Sequence, residues 1–196
     1  MRKAGMLSRR GLCGGLGAAA LLAGCASPEP ALFRLVAVPG TVRRGGPRSI
    51  ELRRVGVPGY LDRPEIIRGG ASARLEVLPN ERWGEPLGDL LGRVLAENLT
   101  LRLPGSTVFA EGGALRGDGE LVVEVEVQRF EAGPAGTVEL LAQVALRPRG
   151  NSARRDLRTL RLDGPVAGTD TAALVSAMSA VLGRLADALA AAIAPG

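Results

Sequence analysis

Residues 119–131, GELVVEVEVQRFE, constrain the fold most strongly, because apolar and polar side chains alternate along them. The apolar positions are Leu121, Val123, Val125 and Val127, and the polar positions between and after them are Glu124, Glu126 and Gln128. After the turn-forming residues 132–136 the same period returns at Val138, Leu140, Ala142, Val144 and Leu146. A period of two places each set on one face of a strand, so the sequence predicts an antiparallel hairpin with one buried face.

Two segments with a helical period predict the layer that covers this buried face. The first segment follows Pro86, has apolar residues at Leu87, Leu90, Leu91, Val94, Leu95 and Leu99, and ends at Pro104-Gly105. The second covers residues 169–193, is capped by Thr169 or Asp170, and has the stripe Leu174, Met178, Val181, Leu182, Leu185, Leu189 and Ile193. Its opposite face carries a single arginine, Arg184, which favours packing onto the sheet over lying on a membrane surface.

The remaining strands are predicted over residues 31–38, 48–58, 66–67 and 73–79, with an exposed edge strand over residues 154–164. Together the elements predict the α+β class, with a mostly antiparallel β-sheet and two main α-helices packed on one face. Residues 31–196 have the length of a single domain.

Residues 1–24 have the layout of an export signal, which is absent from a mature chain. The basic residues Arg2, Lys3, Arg9 and Arg10 precede a short uncharged run that is too short and glycine-rich for a transmembrane helix. Leu22-Ala23-Gly24-Cys25 then resembles the bacterial lipobox, which predicts that the Cys25 thiol carries a diacylglyceryl group and becomes the new N-terminus. The alternative is that Cys25 is an ordinary buried thiol.

Residues 25–30 therefore form a lipidated cysteine followed by a short tether. The five residues ASPEP after the cysteine reach at most about 18 Å when extended, and their two prolines stiffen them. Ala26 and Ser27, with no aspartate after the cysteine, fit sorting to the outer membrane. We expect the folded domain to stay close to the periplasmic side of that membrane.

The composition argues against several classes of function. The chain has no histidine, which excludes Ser-His-Asp catalysis and histidine metal sites. A Walker A loop requires a lysine, and the only lysine of the chain, Lys3, lies in the predicted signal peptide, which excludes such a loop in the folded domain. Beyond residue 24 the chain has 21 basic and 20 acidic residues, and the whole chain has only five aromatic residues, so we expect no binding to nucleic acid. We also expect no enzymatic activity, no metal and no cofactor.

Two further segments contain the only tyrosine and the only tryptophan of the chain. Residues 58–64 read PGYLDRP, and residues 82–87 read RWGEPL at the start of the first predicted helix. The two motifs together resemble those of the ABC-type transport auxiliary lipoprotein family, the PqiC-like lipoproteins. The resemblance extends from the lipobox to the C-terminal helix.

This resemblance implies a role in assembly. PqiC-like lipoproteins are the outer-membrane component of MCE-type lipid transport systems, in which an inner-membrane ABC permease and ATPase work with MCE-domain proteins that bridge the periplasm. By this resemblance the chain docks the far end of the MCE conduit and helps to pass a lipid or another hydrophobic compound. Self-association into a homo-oligomer is compatible with that role.

The residues expected to form the contact surface are Tyr60, Leu61, Asp62, Arg63, Trp83 and Glu85. A structural role is the alternative for each: Trp83 would fix the helix start to the sheet, and Asp62 and Arg63 would form a local turn pair. Two other functions stay open, a stand-alone lipid-binding lipoprotein and a structural envelope lipoprotein. Lipid carriage would require an apolar cavity of about 300 Å³ or more.

Overall fold

The secondary structure is that of a computed structural model, which describes residues 29–69, 74–114, 117–133, 136–150 and 156–195. The strands are β1 (Ala31–Phe33), β2 (Ser49–Leu52), β3 (Glu65–Arg68), β4 (Glu76–Trp83), β5 (Thr107–Ala110), β6 (Leu121–Gly133), β7 (Thr137–Pro148) and β8 (Asp156–Pro165). The helices are α1 (Leu87–Arg102) and α2 (Thr171–Ile193). The predicted signal peptide and Cys25 lie outside the described residues.

The predicted hairpin forms the centre of a five-stranded sheet with the strand order β5-β2-β6-β7-β8. β6 and β7 pair antiparallel, and a bulge between Val127 and Arg129 shifts the alternation by one residue. Because of this shift, Phe130 faces the interior opposite Leu140, and both side chains are fully buried. β8 lies at the edge of the sheet and is mostly exposed, which confirms the predicted edge strand.

The two predicted helices are confirmed, and they pack against each other. α1 begins directly after Pro86, and α2 is capped by Asp170, whose Oδ1 accepts a hydrogen bond from the Ala173 N–H at 2.7 Å. α2 lies against β6, β7 and β8, whereas α1 contacts β5. Among the described residues, α2 is the one helix with the length and hydropathy of a membrane span, and 61% of that stretch is buried inside the domain. It is therefore a core helix.

The α+β class is confirmed, but the strands form two mixed sheets where a single sheet was expected. β3 and β4 form the expected hairpin and pair with β1 in a second sheet of order β1-β4-β3, in which β1 runs parallel to β4. β2 joins the larger sheet by parallel pairing with β6 and with β5, a strand that the sequence analysis missed. Parallel partners are distant in sequence, so no local pattern indicates them.

The predicted first strand over residues 31–38 is wrong beyond Phe33, because β1 ends there. We call the irregular segment that follows, residues 34–43, the strap. The ladder with β4 ends at Phe33, and the strap then crosses the two helices in an irregular conformation. Its backbone is held by side chains: the Val36 N–H donates to Ser179 Oγ at 3.2 Å, and the Val38 N–H donates to Asn98 Oδ1 at 3.1 Å. These bonds satisfy the backbone without a neighbouring strand.

An ion pair that is buried at its arginine and partly exposed at its carboxylate fixes the second half of the strap. Arg102 of α1 is completely buried, and its Nε donates to Asp187 Oδ1 of α2 at 2.8 Å. The guanidinium also donates to the Val38 carbonyl at 3.0 Å, and Asp187 accepts from the Thr41 N–H at 3.1 Å. One ion pair therefore connects both helices and the strap.

Candidate functional site

The two family-like motifs meet beside the three-stranded sheet. The Trp83 N–H donates to the Pro64 carbonyl at 2.8 Å, so the end of β4 is bonded directly to the first motif. The next amide, that of Gly84, donates to the Phe33 carbonyl at 2.9 Å, which ties the second motif to the end of β1. The structure thus brings together two segments that are about twenty residues apart in the sequence and places them next to the strand that follows the tether.

The first motif folds as a tight turn. The N–H groups of Leu61 and Asp62 both donate to the Pro58 carbonyl, at 2.9 and 3.2 Å. This turn directs Leu61 into the core, where it is 3% exposed, and leaves Asp62 and Arg63 on the surface. Trp83 is also a core residue, with 6% of its surface exposed. Of the six predicted contact residues, Leu61 and Trp83 are therefore buried and pack under the exposed ones.

A cleft of about 320 Å³ opens where the motifs meet, and we call it the motif cleft. Its lining residues are Asp62, Arg63, Pro64, Trp83, Glu85 and Pro86. The lining is mainly apolar, because the edge of the buried indole and two proline rings contribute to it. Charged side chains surround this apolar part. Such an arrangement suits the insertion of an apolar side chain from a partner.

Two of the three charged residues that line the motif cleft, Arg63 and Glu85, are paired with neighbours. Arg63 Nε donates to Glu65 Oε2 at 3.3 Å, and Arg93 Nε donates to Glu85 Oε1 at 3.2 Å. A hydrogen bond from its own backbone N–H, then the bond and charge of Arg63, hold the pKa of Glu65 below its ordinary value despite some desolvation. Glu65 therefore stays ionised, and the rim keeps charges of both signs.

Tyr60 lies behind the turn and is half-buried. Burial raises the pKa of Tyr60, and the charge of Glu131 and the hydrogen bond to that carboxylate raise it further, while Arg129 lowers it. The phenol is thus neutral and lies near a β6 carboxylate. This contact joins the turn to the five-stranded sheet, a structural role that the motif alone did not indicate.

A second and larger cleft, of about 780 Å³, was missed by the sequence analysis. It runs beside α1 and shares Glu85 with the motif cleft. Its lining includes three small residues of α1, Gly88, Gly92 and Ala96. Residues spaced by four lie on one face of a helix, so this spacing is the sequence signal that could have indicated the cleft. Its charges are largely satisfied within the chain, as in the Arg54–Asp89 pair at 3.4 Å.

No group of three or more Asp, Glu or Cys side chains that could hold a metal ion occurs within the ranges that the structure describes.

A family model described as the ABC-type transport auxiliary lipoprotein component matches residues 33–190, and this range contains both motifs. The chain belongs to this family. The resemblance drawn from the two motifs is thereby confirmed, and so is the coarse functional class, a lipoprotein component that assists ABC-type transport. No match to a curated protein was found.

Two solved structures share the fold of this family member. One is the crystal structure of an uncharacterised protein that is 20% identical, with a TM-score of 0.70 over 85% of this chain and 100% of that chain. The other is protein XCC0632 from Xanthomonas campestris, which is 18% identical, with a TM-score of 0.67 over 82% of this chain and 92% of that chain. At these identities the likeness shows the fold alone.

Proposed function

We propose that this protein is the lipid-anchored, outer-membrane component of an MCE-type transport system and that the motif cleft docks the MCE-domain protein. In this proposal Cys25 carries the anchor, and the inner-membrane ABC permease and ATPase supply the energy. The domain itself guides a phospholipid or another hydrophobic compound at the end of the conduit and performs no catalysis. Membership of the transport auxiliary family supports the class of function.

The observation that carries the proposal is the position of the motif cleft relative to the predicted anchor. The second motif is hydrogen-bonded to β1 through Gly84 and Phe33, and β1 begins six residues after Cys25. The intervening tether of five residues spans at most about 18 Å. A partner that reaches the membrane surface across the periplasm would therefore meet this part of the domain.

The chemistry of the motif cleft supports docking of a protein segment. Its apolar lining can desolvate one inserted apolar side chain, and Asp62, Arg63 and Glu85 offer charges of both signs around that position. Paired charges at a rim contribute orientation and specificity more than affinity. Lipid carriage is less well supported, because the motif cleft and the larger cleft beside α1 are both open to solvent.

Photo-crosslinking in cells tests this proposal. A photoreactive amino acid replaces Asp62 in one strain and Glu85 in another, since both positions lie on the cleft and reach solvent. Leu157 on β8 serves as the control position, because it is 64% exposed and lies on an edge strand of the five-stranded sheet, whereas the motif cleft lies beside the three-stranded sheet. We expect positions 62 and 85, but not 157, to capture an MCE-domain protein that mass spectrometry identifies.

A charge-reversal pair sharpens the result. R63E should reduce capture from position 85 several-fold, whereas R158E on β8 should leave it unchanged, because Arg158 pairs only with Asp156 of its own strand among the described residues. Equal capture from all three positions, or no capture from 62 and 85 in a folded and membrane-bound protein, would refute docking at the motif cleft.

A further inference from the structure

The outward side of β1 and the strap carries an unusual combination of apolar and basic side chains. Leu32, Arg34 and Val36 alternate with Phe33 and Leu35 along an extended stretch. Leu32 is 70% exposed and Val36 is 46% exposed, whereas Leu35 is buried in the core. The alternation therefore turns two large apolar side chains and the arginine between them toward solvent.

The far end of the strap continues this surface. The Arg43 N–H donates to the Arg102 carbonyl at 2.7 Å, which brings the part of the strap next to Val42 to the end of α1, where Leu101 lies. Val42 is 56% exposed and Leu101 is 48% exposed. Four of the exposed large apolar side chains of the described residues thus belong to β1, the strap and the adjoining helix end.

The residues of β1 and the strap carry charge of one sign. Residues 31–48 contain four arginines and no acidic residue. Within the described ranges, neither Arg34 nor Arg44 has an ion-pair partner, whereas Arg149 and Arg147 of the five-stranded sheet pair with Glu51 at 2.7 Å and with Glu124 at 3.2 Å. Positive charge is therefore available for an external anionic partner.

The surface is also preformed. The strap is fixed to both helices by the Arg102–Asp187 pair and by the bonds from Asn98 and Ser179, so its apolar side chains are held outward in the isolated domain. A rigid surface loses little conformational entropy when it binds.

We propose that β1, the strap and Arg44 form a membrane-contacting surface that lies against anionic phospholipid headgroups beside the lipid anchor. Exposed apolar side chains among unpaired arginines are the composition that binds an anionic lipid interface. The short tether keeps the start of β1 within about 18 Å of the acylated cysteine, so this surface begins close to the bilayer. The inference rests on the proposed anchoring at Cys25 and adds the orientation of the domain on the membrane.

Lipid-phase quenching measures this orientation. L32C and V42C each introduce a single free thiol, because Cys13 lies in the predicted signal peptide and Cys25 is acylated in the proposal. The full-length protein, processed in cells, is labelled with an environment-sensitive fluorophore. It is then reconstituted in vesicles of phosphatidylethanolamine and phosphatidylglycerol that contain brominated lipid. L157C is the matched control, since the exposure of Leu157, 64%, lies between those of Leu32 and Val42, and Leu157 lies on β8.

We expect labels at 32 and 42 to be quenched several-fold more strongly than the label at 157. The R34E/R44E double variant should reduce quenching at 42, as should high salt, whereas R158E/R161E should not. Circular dichroism of each variant verifies that it is folded.

Equal quenching at 42 and 157 in acylated protein overturns the membrane surface and leaves the proposed anchoring intact. If position 42 lies against a second copy of the chain or against an MCE-domain protein, its label is shielded from the lipid, and this result also overturns the membrane surface. The mass of the same sample reports acylation. If Cys25 carries no lipid, the proposed anchoring fails, and the orientation inferred from it fails with it.

Discussion

The interior of the five-stranded sheet and the strap are held in place by different means. Phe130, Val123 and Leu140 lie in a continuous apolar core, where many side chains contribute small amounts of stability each. The strap depends on a few polar side chains, above all Arg102 and Asp187. The core therefore resists many single changes, whereas one substitution can release the strap.

The largest expected effect comes from the core. Phe130→Ala removes a fully buried ring at the point where the bulge turns the strand inward. We expect a loss of about 3–5 kcal/mol in the free energy of unfolding, because truncating a buried aromatic side chain leaves a cavity. Urea denaturation measures it, and amide exchange should accelerate throughout the domain. Faster exchange in β6 alone would show that the core is not one cooperative unit.

Arg102→Ala should have a somewhat smaller but more local effect. It leaves Asn98 and the Val38 carbonyl without their buried donor, which predicts a loss of about 3 kcal/mol. Amide exchange should increase first at Val36, Val38 and Thr41. The matched control is Arg158→Ala on the exposed edge strand, where an ion pair exposed to solvent contributes little to stability. Equal costs for the two arginines would contradict the distinction between the regions.

Acid should loosen the strap before it unfolds the core. Burial pushes the pKa of Asp187 upward, but the hydrogen bonds from Arg102 and the Thr41 N–H, with the nearby positive charges, lower it below its ordinary value. A carboxyl group with a lowered pKa stabilises the fold fully above its unfolded-state value of about 3.9 and loses that contribution as the pH falls further.

Amide exchange of the strap, compared between neutral pH and pH values below about 4, tests this expectation. Protection at Thr41 should fall with the pH in the parent protein. In Asp187→Asn it should already be low at neutral pH and change little. An identical acid response in the two proteins would contradict the role of this carboxylate.

The same contrast explains what the sequence could predict. The hairpin of β6 and β7 and both helices have a local period that their burial confirms, so they were predicted with nearly correct bounds. Residues 34–38 of the strap were predicted as part of a strand because their apolar content is that of a strand. Their backbone partners, Asn98 and Ser179, are 60 and 143 residues away, and no local pattern indicates them.

The sequence could predict which segments form the site but not how their side chains are oriented. The two motifs identified the segments that form the motif cleft, and the structure places them together. The motifs did not indicate which side chains face inward, because the turn at Pro58 determines that Leu61 is buried and Asp62 exposed. The Tyr60–Glu131 contact depends on how the two sheets meet, which follows from tertiary packing.

The N-terminus of the mature protein tests the central claim, which is that this domain acts while tethered to the outer membrane by one acylated cysteine. Mass spectrometry of protein isolated from cell membranes should find a chain that begins at Cys25 and carries a diacylglyceryl group on its thiol. The Cys25→Ser variant should lose both the acyl group and its association with membranes. A membrane-bound chain with an unmodified Cys25, or one that begins at another residue, would contradict the claim.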